Sequence, residues 1–314
     1  MMSPAELELF TASVRRAVAG SSGGALDTAL DELGWDEALQ AAPIAAIDAL
    51  FFAQGREGAT SGALHRVLAA GLGLDPAASV PVLLPAAASA LAPGAVCDGT
   101  LSVNGLLLGS AAGTDSVLVV AGSQMLQVAT ASLALGAVQG LDPAVGLITV
   151  RGEVAAPSVA RTGDWATAVA SGQLALSYEL IGAGRAMLAL AREHALSRVQ
   201  FGATISSFQA VRHRLAETHV ALESAAGLSA AAAEDGSPVL AAMAKAVAGR
   251  AARTATRHCQ QVLAGIGFTT EHTFHLYLRR ALLLDQLLGS TEVLTRELGA
   301  SLLASVELPA LLPL

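Results

Sequence analysis

The sequence predicts a mainly α-helical protein with a small β-domain set between two helical regions, and three observations carry that expectation. Alanine and leucine dominate a 314-residue chain that is 53% apolar, 14% charged and 4% aromatic. Such a composition favours long, closely packed helices, because alanine is the best helix former and leucine loses little rotamer freedom. Apolar residues recur at helical spacing towards both ends, whereas prolines, glycines and short β-branched runs take over in between. The expected division is an N-terminal helical region, 1–75, a small β-domain, 76–162, and a bundle of four or five helices, 163–314.

The first helix is expected to start at Ser3, with Pro4 at its first position and Glu6 closing a capping box. Leu7, Phe10, Val14 and Val18 share one face, and a helical run from Ala41 to Phe52 follows the glycine-rich break at Gly20–Gly24. In the middle region Leu101–Val103, Ser116–Val120, Gln127–Ala129 and Gly146–Val150 read as strands, and the Val103-Asn104-Gly105 step reads as a hairpin. Asp164 is placed to cap a helix that runs to about Ser197 and is apolar almost all round, the mark of a helix buried in a bundle. Further helices are expected from about Ser207, from Ser237-Pro238 to near Gly265 and Gly267, over Thr273–Leu287 and over Thr291–Ala304. Trp35 and Trp165 read as core residues.

A net charge of −8 speaks against nucleic acid, whose binding calls for a basic face. The apolar run from Val80 to Val96 is interrupted by Pro81, Pro85 and Pro93, so no membrane span is expected there. Two distant cysteines, Cys97 and Cys259, give no disulfide framework, and no basic segment leads into an apolar one as a signal peptide requires. A cytoplasmic protein is the expectation, its apolar excess used in subunit interfaces.

Two motifs carry a family resemblance. The first is Arg198-Val199-Gln200-Phe201-Gly202 at the end of the long helix, followed by Phe208-Gln209, with Gly182 nineteen residues before Phe201. The second runs from Gln261 through Gly265, Gly267 and Thr270 to Glu271, with Arg279 beyond it. In that order and at that separation they resemble the acyl-CoA dehydrogenase family, in which the second motif reads Gln-x-x-Gly-Gly-x-Gly and then Thr-Glu; Ala264 departs from it. The helix–strand–helix order agrees, so the resemblance implies the acyl-CoA dehydrogenase-like fold. It also implies that Arg198, Phe201, Gln209, Gln261 and Gly265 contact FAD held mainly by a neighbouring subunit. A guanidinium fork suits phosphate oxygens, and glycine allows close backbone approach. Taken singly, the residues have plainer readings: Arg198 as a cation at a helix C-terminus, Gln209 in a capping box with Ser206, Gly265 and Gly267 as helix stops.

The family removes an α-proton from an acyl-CoA with a glutamate base while FAD accepts the β-hydride. The usual Glu-Gly-Thr turn aligns with Leu288-Gly289-Ser290, so the base position holds Leu288. The alternative position on the long helix, ten residues before Gly182, holds Gly172. Glu179 lies about two turns, or ~10 Å, further along that helix. Asp285 is a weak substitute, with a surface salt bridge to Arg279 or Arg280 as its plainer use. The β-domain lacks the family's two flavin-facing motifs; Leu107–Ser110 stands where its Trp-x-Thr-Asn turn would be, and Leu84–Ala92 near the first. Together these features resemble the base-lacking subunit of the heteromeric α2β2 acyl-CoA dehydrogenases of actinobacterial steroid degradation. That resemblance implies a longer catalytic partner subunit, a homo-oligomer in its absence, and a substrate such as a steroid side-chain CoA. The alternatives are a self-sufficient flavoenzyme using Asp285 and a non-enzymatic scaffold.

Overall fold

The computed structural model describes residues 4–77, 80–111, 113–140, 142–157 and 161–304; the Ser3 cap lies outside them. The N-terminal helices are α1 (Pro4–Gly20), α2 (Gly24–Glu32), α3 (Trp35–Ala41), α4 (Pro43–Glu57) and α5 (Ala63–Gly71). Val14 and Val18 are buried on α1, Leu7 and Phe10 half-buried. The helix expected across Ala41–Phe52 is broken at Ala42 (φ −147°, ψ 66°), because a residue preceding proline is pushed out of the helical region. Trp35 is fully buried and its indole N–H donates to Ala46 O at 3.2 Å. Trp165, half-buried, donates to Ala90 O at 3.0 Å.

Eight strands form one sheet: β1 (Leu84–Pro85), β2 (Gly94–Cys97), β3 (Thr100–Leu107), β4 (Ser116–Ala121), β5 (Gln124–Ala129), β6 (Ala134–Ala137), β7 (Ile148–Ala155) and β8 (Arg161–Thr162). Their order is β6-β7-β3-β2-β4-β5-β8, with β1 also on β3. The hairpin expected at Val103-Asn104-Gly105 is not formed; all three residues lie inside β3, paired with β7. Gly105 serves close approach instead, since a Cβ there would sit 2.4 Å from Leu84 O. The turn is at Asp98-Gly99, which joins β2 to β3 with φ of 48° and 74°, as a two-residue primed turn requires. Leu101, Val103, Val117, Val119, Leu126 and Val150 fill a separate core under the sheet.

The third region comprises α6 (Trp165–Ser197), a short hairpin of β9 (Val199–Gln200) and β10 (Ala203–Thr204), α7 (Gln209–Asp235), α8 (Pro238–Leu263), α9 (Phe274–Gln286) and α10 (Thr291–Ala304). Asp164 caps α6 by accepting from Ala166 N and Thr167 N, and Ser237 caps α8 by accepting from Leu240 N. Side-chain caps of this kind satisfy amide groups the helix cannot. The central helix is α6, packed against α4, α5, α7, α8 and α9. By length and composition α6 could cross a membrane, but 72% of its most apolar window is buried inside the bundle. Its crossing with α4 depends on two glycines: a Cβ on Gly182 would lie 2.4 Å from Phe52 O, and one on Gly55 only 2.1 Å from Glu179 O.

Candidate functional site

Gly172 on α6 and Leu288 in the turn after α9, far apart in the chain, meet in space. A Cβ on Gly172 would lie 2.4 Å from Leu288 Cδ1 and 3.1 Å from Leu68 Cδ2. Both positions at which the resemblance places a base therefore belong to one apolar contact, and Leu288 is 1% exposed. Its φ is +53°, uncommon for a residue with a branched side chain, and the surrounding bonds hold it there. Gln173 Nε2 donates to Leu288 O at 2.9 Å. Lys245, the one lysine of the sequence, is fully buried; its Nζ donates to Asp285 O at 3.1 Å and to Gly289 O. Burial pulls its pKa down to about 8, against the opposing field of Asp285.

Asp285 is buried, not on the surface, and its partner is Arg253 (2.5 Å) rather than Arg279 or Arg280. Its other oxygen accepts from Thr291 N at 3.2 Å and from the Thr291 hydroxyl. Both oxygens are thus occupied, one by Arg253 on α8 and the other at the start of α10. Arg280 serves a second buried cluster: it bonds Asp142 (2.5 Å), Ala59 O (2.7 Å) and Glu179 (3.1 Å). Burial raises the Glu179 pKa and Arg280 opposes that rise. A cavity of only about 30 Å³ remains among Glu179, Arg280, Leu176, Leu284 and Leu287.

On the β-domain side Leu106, Leu107 and Leu108 are buried, and the turn that follows is closed by backbone. A Cβ on Gly109 would meet Gly146 O at 2.8 Å and Val145 O at 2.9 Å. His65 on α5 fastens this turn, its Nδ1–H donating to Val82 O (2.8 Å) while Nε2 accepts from Leu108 N (3.4 Å). The ring is fully enclosed, and burial pushes its pKa down to about 4.

The opposite arrangement holds at the two motifs. Arg198, Phe201, Gln209, Gln261 and Gly265 are all exposed. Arg198 is the C-cap of α6, and among the described residues no acid pairs with it. Phe201 and Gly202 form the β9–β10 tip with φ of 54° and 78°. Phe201 is 93% exposed and meets Phe208 edge-on, with ring centroids 6.2 Å apart. No side chain caps α7, whose N-cap is Phe208, so the capping box of Gln209 with Ser206 is not formed. Ala264 adopts φ 51°, ψ −133°, a backbone suited to the glycine that the family pattern has there. No heavy atom lies within 4 Å of a Cβ built on Gly265, whereas one on Gly267 would press on Leu263 Cβ at 2.9 Å. Gly265 leaves open space and Gly267 serves packing. Leu196, Val199, Ile266 and Phe268 add exposed apolar surface, Phe268 at 74%.

The residues present thus suit the diphosphate and adenosine side of FAD: an unpaired guanidinium, an open glycine and exposed amides. On the β-domain side Leu108, Gly109, Val145 and Gly146 line a cavity of about 290 Å³ that carries no charged side chain.

Helical region, sheet and bundle in this order are the acyl-CoA dehydrogenase fold, and residues 166–303 match the acyl-CoA dehydrogenase C-terminal domain. The chain is 38% identical over 158 residues to the acyl-CoA dehydrogenase IpdE2 of Mycobacterium tuberculosis, covering 50% of this chain and 48% of that protein. It is 32% identical over 137 residues to the short-chain specific acyl-CoA dehydrogenase of Megasphaera elsdenii, 42% of this chain and 36% of that one. The matched part is therefore about half the length of these curated relatives, or less. Among solved structures it superposes on the ChsE4-ChsE5 complex of M. tuberculosis with a TM-score of 0.75 at 20% identity, over 99% of both chains. The Tcur3481-Tcur3483 steroid acyl-CoA dehydrogenase gives 0.77 at 21% identity, over 96% and 99%. The fold and the resemblance to heteromeric steroid acyl-CoA dehydrogenases are borne out.

Proposed function

We propose that this chain is the base-lacking subunit of a heteromeric, FAD-dependent acyl-CoA dehydrogenase, α2β2 with a longer catalytic partner in the cytoplasm. The observation that carries the reading is the contact of Leu288 with Gly172, which leaves no carboxylate at either base position. FAD, when bound, would accept the hydride; the base and the flavin pocket belong to the partner. This chain supplies the outer half of the site, with Arg198 on the diphosphate, Gln209, Gln261 and Gly265 towards the adenosine, and Phe201 and Phe208 packed at the junction. Exposed Phe201, Phe268 and Leu196 suit burial in that interface. The bonds of Asp285 to Arg253 and Thr291 support a bracing role for it over that of a substitute base. A steroid-CoA with a shortened side chain is the substrate class favoured by the likeness to a steroid acyl-CoA dehydrogenase.

The test is co-expression with the longer dehydrogenase-like subunit, followed by flavin content after dilution. Arg198→Ala should leave the complex assembled yet weaken flavin retention roughly tenfold to a hundredfold, since a charge-assisted bond to phosphate contributes ~1.5–3 kcal/mol. Gln261→Ala should act in the same direction but less. Unchanged flavin content in Arg198→Ala would favour the scaffold. The chain alone, as a homo-oligomer, should show no turnover, loss of a positioned base costing ~10²–10⁴ in rate; normal turnover would overturn the reading.

A further inference from the structure

We infer that the cavity where α2 and α3 face the entry to the sheet binds an ammonium group carried on an aliphatic body. The cavity measures about 510 Å³. Asp27 and Asp31 of α2 and Asp36 and Glu37 of α3 give it an acidic side. Pro76, Val80 and Pro81, from the chain between α5 and β1, and Ala111, from the turn after β3, give it an apolar side. None of these residues belongs to the two motifs or to the contact of Leu288 with Gly172, so the inference stands independently of the FAD reading.

Charge is out of balance in this cavity. Its four carboxylates face one guanidinium, that of Arg66, an excess of three negative charges when all are ionised. Arg66 Nη1 bonds Asp31 at 2.6 Å and, more loosely, Asp36 at 3.2 Å. Asp27 spends one oxygen on Gly62 N at 2.7 Å. His65 also lines the cavity, but backbone groups engage both of its ring nitrogens. Asp36 is the residue that points to a ligand. It is 8% exposed, and its Oδ1 has no hydrogen-bond partner among the described residues. Burial raises its pKa against the opposing charge of Arg66. A buried acceptor without a donor is uncommon and costly, and a bound donor accounts for it. An ammonium group brings three N–H donors and the missing positive charge. A metal ion does not fit, because among the described residues no three His, Cys, Asp or Glu side chains are grouped to hold one. The apolar side suits a hydrocarbon body rather than a second charge, which favours an alkylammonium over a polyamine. A free amine and a lysine side chain of a partner share that chemistry.

The probe is n-hexylammonium, titrated into the full chain at low ionic strength, where screening is least, and followed by saturation-transfer NMR. Saturable binding is expected. Shortening the probe to propylammonium should weaken it by up to about fourfold for each methylene removed, and uncharged hexanol should not compete. Asp36→Asn should weaken binding roughly tenfold or more. Glu37→Gln, an exposed position that folding tolerates, should weaken it by up to about fivefold. Glu32→Gln makes the same change of charge on α2 but outside the cavity, and should leave affinity within about twofold. Binding retained in the complex co-purified with a partner subunit identifies a free amine as the occupant. Binding occluded there, with weaker assembly of Glu37→Gln, identifies a lysine of the partner. Equal losses in Glu32→Gln and Glu37→Gln, competition by hexanol as strong as by hexylammonium, or no saturable binding to the folded wild type overturns the inference.

Discussion

Acidification should loosen the junction between α5 and the β-domain through one imidazole. His65 is neutral and enclosed, donating to Val82 O and accepting from Leu108 N. Its pKa falls from 6.5 to about 4 on folding because burial disfavours the charged ring. Above pH 6.5 neither state binds the proton and stability is unaffected. As pH drops towards 4 the unfolded chain takes up a proton that the folded one refuses, and stability is lost over that window. The 2.5-unit difference corresponds to about 3 kcal/mol. In His65→Leu two polar groups lose their partner, a cost of about 1–3 kcal/mol per group left unpaired, but nothing titrates. The wild type should therefore lead the variant at pH 8, and the gap should narrow by about 3 kcal/mol towards pH 4. Denaturant midpoints followed by circular dichroism at fixed protein concentration give the comparison. A gap independent of pH would refute the reasoning, as would an NMR titration in which the His65 ring protonates near 6.5.

Gly172→Ala should destabilise the wild type by up to about 2 kcal/mol, because the new methyl meets Leu288. In a Leu288→Ala background it should stabilise by up to ~1 kcal/mol, the helix-propensity gain alone; a double-mutant cycle in urea reads the sign change. Gly182→Ala, whose Cβ would press on Phe52 O and Gly55, should cost about 3 kcal/mol. Gly227→Ala, exposed on α7 with nothing within 4 Å, should instead raise the melting temperature slightly. Asp285→Asn should cost about 2–4 kcal/mol by loosening Arg253 and Thr291 and leave the turnover of assembled complex unchanged per folded molecule; abolished turnover would restore Asp285 as a base.

What could be read in the sequence was whatever local chemistry decides. Asp164 and Ser237-Pro238 mark helix starts because a side-chain oxygen followed by helix formers has few other uses. The strand runs were recognisable for the same reason. Asn104-Gly105 misled because glycine serves turns and close contacts alike, and only the approach of Leu84 distinguishes the two; Asp98-Gly99 carried the stronger turn signal. The meeting of Gly172 with Leu288 was implied only by the resemblance. The Arg280 cluster was not legible, since its acids stand 138 and 101 positions away in the chain. The placing of Asp285 beside Arg253 likewise depends on how α8 lies against α9.

The burial of Lys245 has a chemical consequence beyond the turn it braces. Thioesters transfer acyl groups to free amines, and the only side-chain amine of this sequence is fully enclosed and bound to two carbonyls. The remaining basic charge is carried by arginine and histidine, which thioesters do not acylate readily. The folded surface therefore offers no lysine to an activated acyl donor. Acylation at Lys245 requires the α8–α9 packing to open, so the rate at which an amine-directed reagent marks that residue is a direct clock for the opening of the bundle.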